Sequence, residues 1–223
     1  MTNQRAELEW RDGKVPVSLR FDDPYFSLDD GLAETRHVFL AGNDLPARFC
    51  DGFHVAELGF GTGLNLLTAW QAFRAAGGGG QLRFTSFEAF PMTREEAAEA
   101  LSHFPELGPL AEPLLAAWQQ ESFAVETPDL HAQVIVGDAR EAVAKMVENA
   151  GAGCLDGVSP AKNPELWGDT LMAEVGAQTK RGGTFATYTA AGHVRRALQE
   201  AGFEVKRITG FGRKRHMSVG RKP

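Results

Sequence analysis

Apolar and polar positions change period several times along the chain. The run FHVAELGF, from Phe53, is continuous, apolar and closed by Gly, the pattern of a buried strand. NLLTAWQAFRAA follows with helical spacing, Leu66, Leu67, Trp70 and Phe73 sharing a face, and Gly77–Gly80 is expected to stop that helix. LRFTSFEAF predicts a second strand. Residues 93–121 predict two helices, TREEAAEALSHF and EPLLAAWQQE, parted by Pro105–Pro113. HAQVIVGDAR predicts a third strand, REAVAKMVENA a helix, and GCLDGVSP a fourth strand running into a loop. PELWGDTLMAEVGAQT reads as a helix opened by Pro164, GGTFATYTA as a fifth strand, and HVRRALQEAGF as a helix closed by Gly202. Two strand-like pieces around a basic, Gly-rich turn complete the chain.

Repeated strand–helix alternation predicts an α/β layered sheet of parallel strands. The link GFGRKR between the last two strands is too short for a parallel crossover, which needs about a dozen residues, so that pair is expected to be antiparallel. A parallel sheet closed by an antiparallel C-terminal hairpin resembles the class I S-adenosylmethionine-dependent methyltransferase fold. Residues 1–50 are rich in turn formers, with short strands expected at Val15–Phe21 and Arg36–Leu40, paired as a hairpin. The expected organisation is an N-terminal extension, 1–50, ahead of one domain, 51–223.

Composition narrows the class. The chain has 223 residues, 43% hydrophobic and 23% charged, a globular balance that excludes global disorder. Cys50 and Cys154 are distant from each other and form neither a disulfide framework nor a metal-ligand spacing, and lone thiols suit a reducing cytoplasm. No stretch approaches the roughly 20 apolar residues of a membrane span, and the first ten residues lack the apolar core of an export signal, so a cytoplasmic location is expected. The net charge of -6 is unevenly spread: from Gly192 onward nine Lys/Arg face only Glu200 and Glu204, while the preceding residues hold 14 basic and 27 acidic residues. Such asymmetry either orients a polyanion toward one face or reflects solvated element ends.

Candidate chemistry begins at Glu57-Leu58-Gly59-Phe60-Gly61-Thr62-Gly63, between the first strand and its helix. A dinucleotide fingerprint requires G-x-G-x-x-G, and Leu64 and Leu66 occupy the third position in the two available registers. The G-x-G-x-G form behind an acid resembles methyltransferase motif I, in which the loop passes the amino-acid part of S-adenosylmethionine. Glu88, Asp138 and Asp156 fall at the ends of the next three strands, where ligands of open α/β sheets bind. Glu88 is placed for ribose hydroxyls, and the resemblance gives Asp138 the adenine amino group; for Asp138 a helix N-cap is the competing role.

Asp156-Gly157-Val158-Ser159-Pro160 resembles the D/N-P-P-Y/F loop of amino-directed methyltransferases in position and shape. An alkylammonium must shed a proton before it can attack a methyl group, and a carboxylate beside it can take that proton. Asp156 is therefore the candidate catalytic group and a candidate cofactor contact, while Ser159-Pro160 reads equally well as a plain turn. DGVSPAKNPELW, together with GLAETRHVFLAGNDLPARF, AELGFGTGLN and GGTFATYTAAGHVRRAL, resembles the methyltransferase domain of the bacterial MnmC family over nearly the whole chain. The resemblance implies S-adenosylmethionine as cofactor, with Glu57, Gly59, Gly61, Gly63, Asn65, Glu88, Asp138, Asp156 and Tyr25 around it. It implies tRNA as substrate, with 5-aminomethyl-2-thiouridine at the wobble position converted to 5-methylaminomethyl-2-thiouridine. It also implies the stand-alone version of the domain, with a separate flavin-dependent oxidoreductase acting earlier. Val158 stands where the family pattern has an aromatic residue, and Gly153 and Cys154 are smaller than the aromatic pair expected there, which is expected to loosen the wall around the base.

The N-terminal segment is expected to fold over the cofactor pocket. Tyr25 is its functional candidate, Phe39 a core anchor, and Glu34-Thr35-Arg36-His37 carries no assignment. Arg213, Lys214 and Arg215 in the terminal turn, and Lys162 in the loop after Asp156, are candidate phosphate contacts. Three alternatives stay open on the residues alone: a small-amine N-methyltransferase, a nicotinamide-linked oxidoreductase, and a non-catalytic tRNA-binding module.

Overall fold

The computed structural model describes residues 5–77 and 79–223. Gly78, within the predicted Gly77–Gly80 stop, and residues 1–4 lie outside the described residues. Three short antiparallel strands open the chain: β1 (Leu8–Arg11), β2 (Val15–Ser18) and β3 (Asp23–Pro24). Helix α1 (Gly31–Thr35) starts at Asp30, whose carboxylate accepts the Ala33 N–H at 2.9 Å. Arg36–Leu40 is not the expected strand but a π-helical turn continuing α1. Val38, Phe39 and Leu40 are all buried there, so the wide coil faces three consecutive apolar side chains inward, where a strand would turn every second one out. The hairpin partner of β2 is consequently β1.

The main sheet follows the predicted alternation. In chain order come β4 (His54–Leu58), α2 (Leu64–Ala75), β5 (Leu82–Glu88), α3 (Arg94–Ser102), α4 (Gly108–Ala117), β6 (Phe123–Thr127) and β7 (Leu130–Val136). Then come α5 (Ala139–Ala142), β8 (Ala150–Leu155), α6 (Asp169–Ala177), β9 (Thr179–Thr187), α7 (Gly192–Glu200), β10 (Glu204–Thr209) and β11 (His216–Arg221). The order across the sheet is β10-β11-β9-β8-β4-β5-β7-β6. Strands β7, β5, β4, β8 and β9 are parallel, and β11 lies antiparallel between β9 and β10, as the short GFGRKR link requires.

Four boundaries differ from the pattern reading. Helix α4 begins at Gly108 and carries Pro113 inside it, because Leu110, Ala111 and Leu114 already form its buried face. It ends at Ala117, which frees Phe123–Thr127 to form β6, antiparallel to β7, with Phe123 and Val125 inward. The predicted helix over REAVAKMVENA is one turn, α5, followed by a 3-10 turn at Val143–Lys145. The helix predicted from Pro164 is a 3-10 turn, Pro164–Trp167, and then α6.

Apolar side chains cover both sheet faces. Trp70 and Phe73 of α2 lie fully buried on one side with the N-terminal Phe26, Val38 and Phe39; Leu171, Met172, Val194 and Leu198 fill the other. Each such side chain contributes about 1.5–3 kcal/mol on burial. Coverage on both faces makes the sheet rigid and leaves its carboxyl edge to the loops. The chain leaves β4 toward β5 on one side and later enters β8 on the other. The loops after β4 and β8 therefore diverge from neighbouring strands, at the switch point where open α/β sheets bind ligands. No helix among the described residues is long and apolar enough to cross a membrane.

Candidate active site

A cavity of about 1460 Å³ opens at that edge. The β4–α2 loop forms part of its floor and is pinned at both sides: Gly59 N–H donates to the Phe87 carbonyl (2.9 Å), and Asp156 N–H to the Leu58 carbonyl (3.0 Å). Gly59 (φ +87°) and Gly61 (φ +55°) have left-handed backbones. A Cβ on Gly59 would stand 2.5 Å from the Asp156 carbonyl oxygen, and one on Gly61 3.0 Å from the Tyr25 ring. Only glycine meets both the conformation and the close approach.

Three strand-end acids surround this loop. Glu88 accepts the Gly61 N–H at 2.9 Å and the Phe90 N–H at 2.8 Å, and it faces the cavity. Burial holds its carboxyl above the ordinary range, against those N–H groups. Asp156 also faces the cavity and accepts from Asn65 Nδ2 at 2.7 Å. Enclosure by protein pushes its pKa up to about 8; Asn65 and Lys214 oppose the rise, and the charges of Glu34 and Asp23 add to it.

Glu57 is different: it is 1% exposed and lies beneath the floor, off the cavity. It accepts from Ser86 Oγ at 2.6 Å and Asn65 Nδ2 at 2.8 Å, and burial raises it well above the usual carboxylate range. The Asn65 carbonyl oxygen accepts from Thr35 Oγ1 at 3.0 Å, so both amide hydrogens and the oxygen are engaged and the side chain is held in one orientation.

The remaining predicted residues divide. Tyr25 lines the cavity, its hydroxyl raised by burial and by Glu88. Asp138 also lines it, but β7 ends at Val136, two residues earlier. The Asp138 carboxylate caps α5 through the Arg140 N–H (2.9 Å) and forks with the Arg140 guanidinium (2.5 Å), which holds it below the usual range. Gly63 caps α2 behind the loop and does not line the cavity.

Lys162 does not present a free cation: it donates to the Asp22 carbonyl and lies 3.6 Å from Asp23, clasping the loop after β8 to the N-terminal segment. Asp23 completes the clasp by accepting the Ser159 N–H at 2.9 Å. Lys214 points into the cavity mouth, toward Glu34, while Arg213 lines the rim and Arg215 lies off the cavity, exposed.

Several site residues carried no signal in the pattern reading. Glu34 and Thr35 reach the cavity from α1, and Tyr188 follows β9, its hydroxyl donating to the Gly157 carbonyl at 2.7 Å. Phe21 and Phe90 meet edge to face at 5.7 Å, with the Arg20 guanidinium 4.6 Å from the Phe90 centroid. Leu166 packs over Gly157, so a leucine supplies part of the apolar wall beside Val158. Among the described residues, no three His, Cys, Asp or Glu are grouped to hold a metal ion.

A family described as S-adenosyl-L-methionine-dependent methyltransferase matches residues 105–223. The chain belongs to this methyltransferase family. Over 99% of its length it is 44% identical to the tRNA 5-methylaminomethyl-2-thiouridine biosynthesis bifunctional protein MnmC of Chromobacterium violaceum. The alignment covers 35% of that protein, so the methyltransferase chain spans about a third of the relative's length. The crystal structure of MNMC2 from Aquifex aeolicus matches with a TM-score of 0.78 and 25% identity, over 99% of this chain and 72% of that one. Precorrin-6y C5,15-methyltransferase from Geobacter metallireducens shares the fold alone, with a TM-score of 0.51 and 12% identity over 89% of this chain and all of that one. The methyltransferase thus has the α/β fold and mixed sheet expected from its sequence.

Proposed function

We propose that the protein transfers a methyl group from S-adenosylmethionine to the aminomethyl nitrogen of 5-aminomethyl-2-thiouridine at the wobble position of tRNA. The observation that carries this reading is the 44% identity to an MnmC protein over 99% of the chain, which includes the whole acid-lined cavity. Acidic groups at the cavity end suit an amine better than a phosphate or carboxylate: Asp156, Asp23 and Glu34 act on one another there.

The cofactor fits the residues present. Gly59 and Gly61 leave a bare backbone for the amino-acid part, Glu88 faces the space for ribose hydroxyls, and Tyr25 covers the loop. Bound S-adenosylmethionine would supply an electrophilic methyl on a sulfonium sulfur. Asp156 would take the proton from the attacking ammonium, exposing the nitrogen lone pair, and the loop after β8 would hold that nitrogen in line. A carboxylate with a pKa of about 8 is matched to this task, since a base is most effective when its pKa lies near the working pH. Segment 1–50, whose Phe26, Val38 and Phe39 belong to the same core as α2, would act as an extension closing over the cofactor bound by 51–223.

The substrate reading brings partners with it. Arg213 at the rim and the exposed Arg215 beyond it are the candidate phosphate contacts. A flavin-dependent oxidoreductase would unmask the amine beforehand, and both steps would take place in the cytoplasm, on tRNA. The test is labelled methyl transfer to tRNA from cells blocked in this methylation, followed by digestion and identification of the nucleoside. Label in 5-methylaminomethyl-2-thiouridine supports the reading; efficient transfer to small amines, with none to tRNA, overturns it.

A further inference from the structure

At the cavity mouth the chain already holds a primary ammonium. Lys214 Nζ lies 2.9 Å from Glu34 Oε1 and 4.1 Å from the centroid of the Tyr188 ring. Carboxylate and ring face together are what a primary ammonium requires: a charged acceptor on one side and a π-cloud on another.

The two halves of this contact are unequal. The Glu34 side chain is 12% exposed and sits on α1, anchored by its Asp30 cap and by Thr35, the next residue, which bonds Asn65. Tyr188 is fixed by its hydrogen bond to Gly157 and by edge-on packing against Trp167 at 6.4 Å. Lys214 is 46% exposed, on the turn between β10 and β11, at the end of a flexible stem. The acceptor is built into the wall and the donor is not. Half-exposed on its lysine side, the pair exchanges with water and with other cations, so trading one ammonium for another costs little. Lys214 also borders a second, open groove of about 440 Å³, with His193 and His216, which meets the main cavity at Ser159 and Tyr188.

We propose that Glu34 and the face of Tyr188 form the seat for the substrate's ammonium, that Lys214 occupies this seat until substrate arrives, and that the displaced Lys214 turns into the outer groove to pair with a phosphate of the strand carrying the base. This rests on the proposed aminomethyl substrate. The incoming group has the same three donors as Lys214 Nζ, so the same partners accept it. A base without an amine brings no charge to replace the lysine and leaves the seat closed, which makes the lysine an element of selectivity against unmodified uridine. Asp156 lies directly before Gly157, the residue that Tyr188 holds, so an amine seated on Tyr188 is presented to the loop that carries the proposed base.

The experiment compares binding of two anticodon stem–loops, one with 5-aminomethyluridine and one with uridine at the wobble position, across a range of salt concentrations. The wild type is expected to prefer the aminomethyl loop several-fold at low salt, because the seat exchanges one ammonium for another and the net gain is the phosphate contact of Lys214, and the preference should shrink as salt rises. Glu34→Gln, which frees Lys214 to reach a phosphate with either loop, should bring the preference close to one by raising affinity for the uridine loop, and Glu34→Asp, which keeps the charge, should restore part of the preference. The log–log salt slope should be steeper for the aminomethyl loop by about 0.7, one extra phosphate contact, and Lys214→Met should erase that difference. Preference retained in a folded Glu34→Gln, or equal slopes in the wild type, would overturn the exchange. A wild type that does not distinguish the loops would overturn the substrate reading along with it.

Discussion

Asn65 Nδ2 stands 2.7 Å from Asp156 Oδ2, and the same amide donates to Glu57 Oε1 at 2.8 Å. One side chain from the first turn of α2 thus couples the acid within β4 to the acid just after β8. Asn65→Leu leaves both carboxylates without that donor. Glu57 keeps the Ser86 hydroxyl, so the expected cost is about 1–3 kcal/mol, chiefly for Asp156 left unpaired, read by urea unfolding. Because Asn65 opposes the rise of the Asp156 pKa, the ascending limb of the pH–rate profile should also move above its wild-type position near 8. A limb that stays in place would show that Asn65 does not set the ionisation of Asp156.

Gly61→Val places a branched side chain against Tyr25, in a backbone conformation that only glycine adopts readily. Binding of S-adenosylmethionine and S-adenosylhomocysteine, measured by calorimetry, should be lost. NAD should bind neither wild type nor variant; tight NAD binding by the wild type without sulfonium binding would contradict the assignment of the loop.

On the turn between β10 and β11, Arg213→Ala with Arg215→Ala should flatten the salt dependence of tRNA binding by about 1.4–1.8 on a log–log plot, at about 0.7–0.9 per contact. Lys162→Met should leave the slope unchanged, because Asp22 and Asp23 already hold that ammonium. The opposite pattern would move the RNA path to the loop after β8.

Much of this architecture was legible from the sequence, because β4, β5, β8 and α2 bury long apolar runs whose period is unambiguous, and the short GFGRKR link admits only an antiparallel pair. The strand β6 was hidden because its five residues lie behind a helical pattern that continued on paper into Trp118-Gln119-Gln120. The π-turn at Arg36–Leu40 was hidden because three consecutive buried residues fit either a buried strand or a wide coil. Within the site, Asp156 and Glu88 stood out by their place at strand ends. Glu34, Thr35 and Tyr188 act through tertiary neighbours more than 25 residues away, and no local spacing announces such contacts. The tie between Lys162 and Asp22 was hidden for the same reason.

Stability should depend on pH through the same acids. Asp156 has a folded pKa of about 8, against about 3.9 for an unperturbed Asp, so the folded state binds its proton more tightly than the unfolded one. Its contribution is fully present below about pH 4 and is lost as pH rises through about 8. Glu57 and Glu88 are raised by burial and act with the same sign. In urea unfolding at pH 5, 7 and 9, Asp156→Asn should gain on the wild type as pH rises, by several kcal/mol at pH 9, at about 1.4 kcal/mol for each pH unit between the two pKa values, with a flatter though not level curve. Parallel curves would place the ionisation of Asp156 outside this range.

Single-turnover methyl transfer to aminomethyl-bearing tRNA, followed from pH 6 to 10, tests most directly whether Asp156 takes the proton from the aminomethyl nitrogen. The wild-type rate should climb with pH and level off near 8, as Asp156 ionises. Asp156→Asn should be slower by about 10²–10⁴-fold at neutral pH, with S-adenosylmethionine affinity changed far less. Its rate should keep rising toward pH 10, where an alkylamine of pKa about 10.4 is increasingly neutral without help. Near-full turnover by Asp156→Asn, or a wild type that methylates no tRNA under these conditions, would contradict the account.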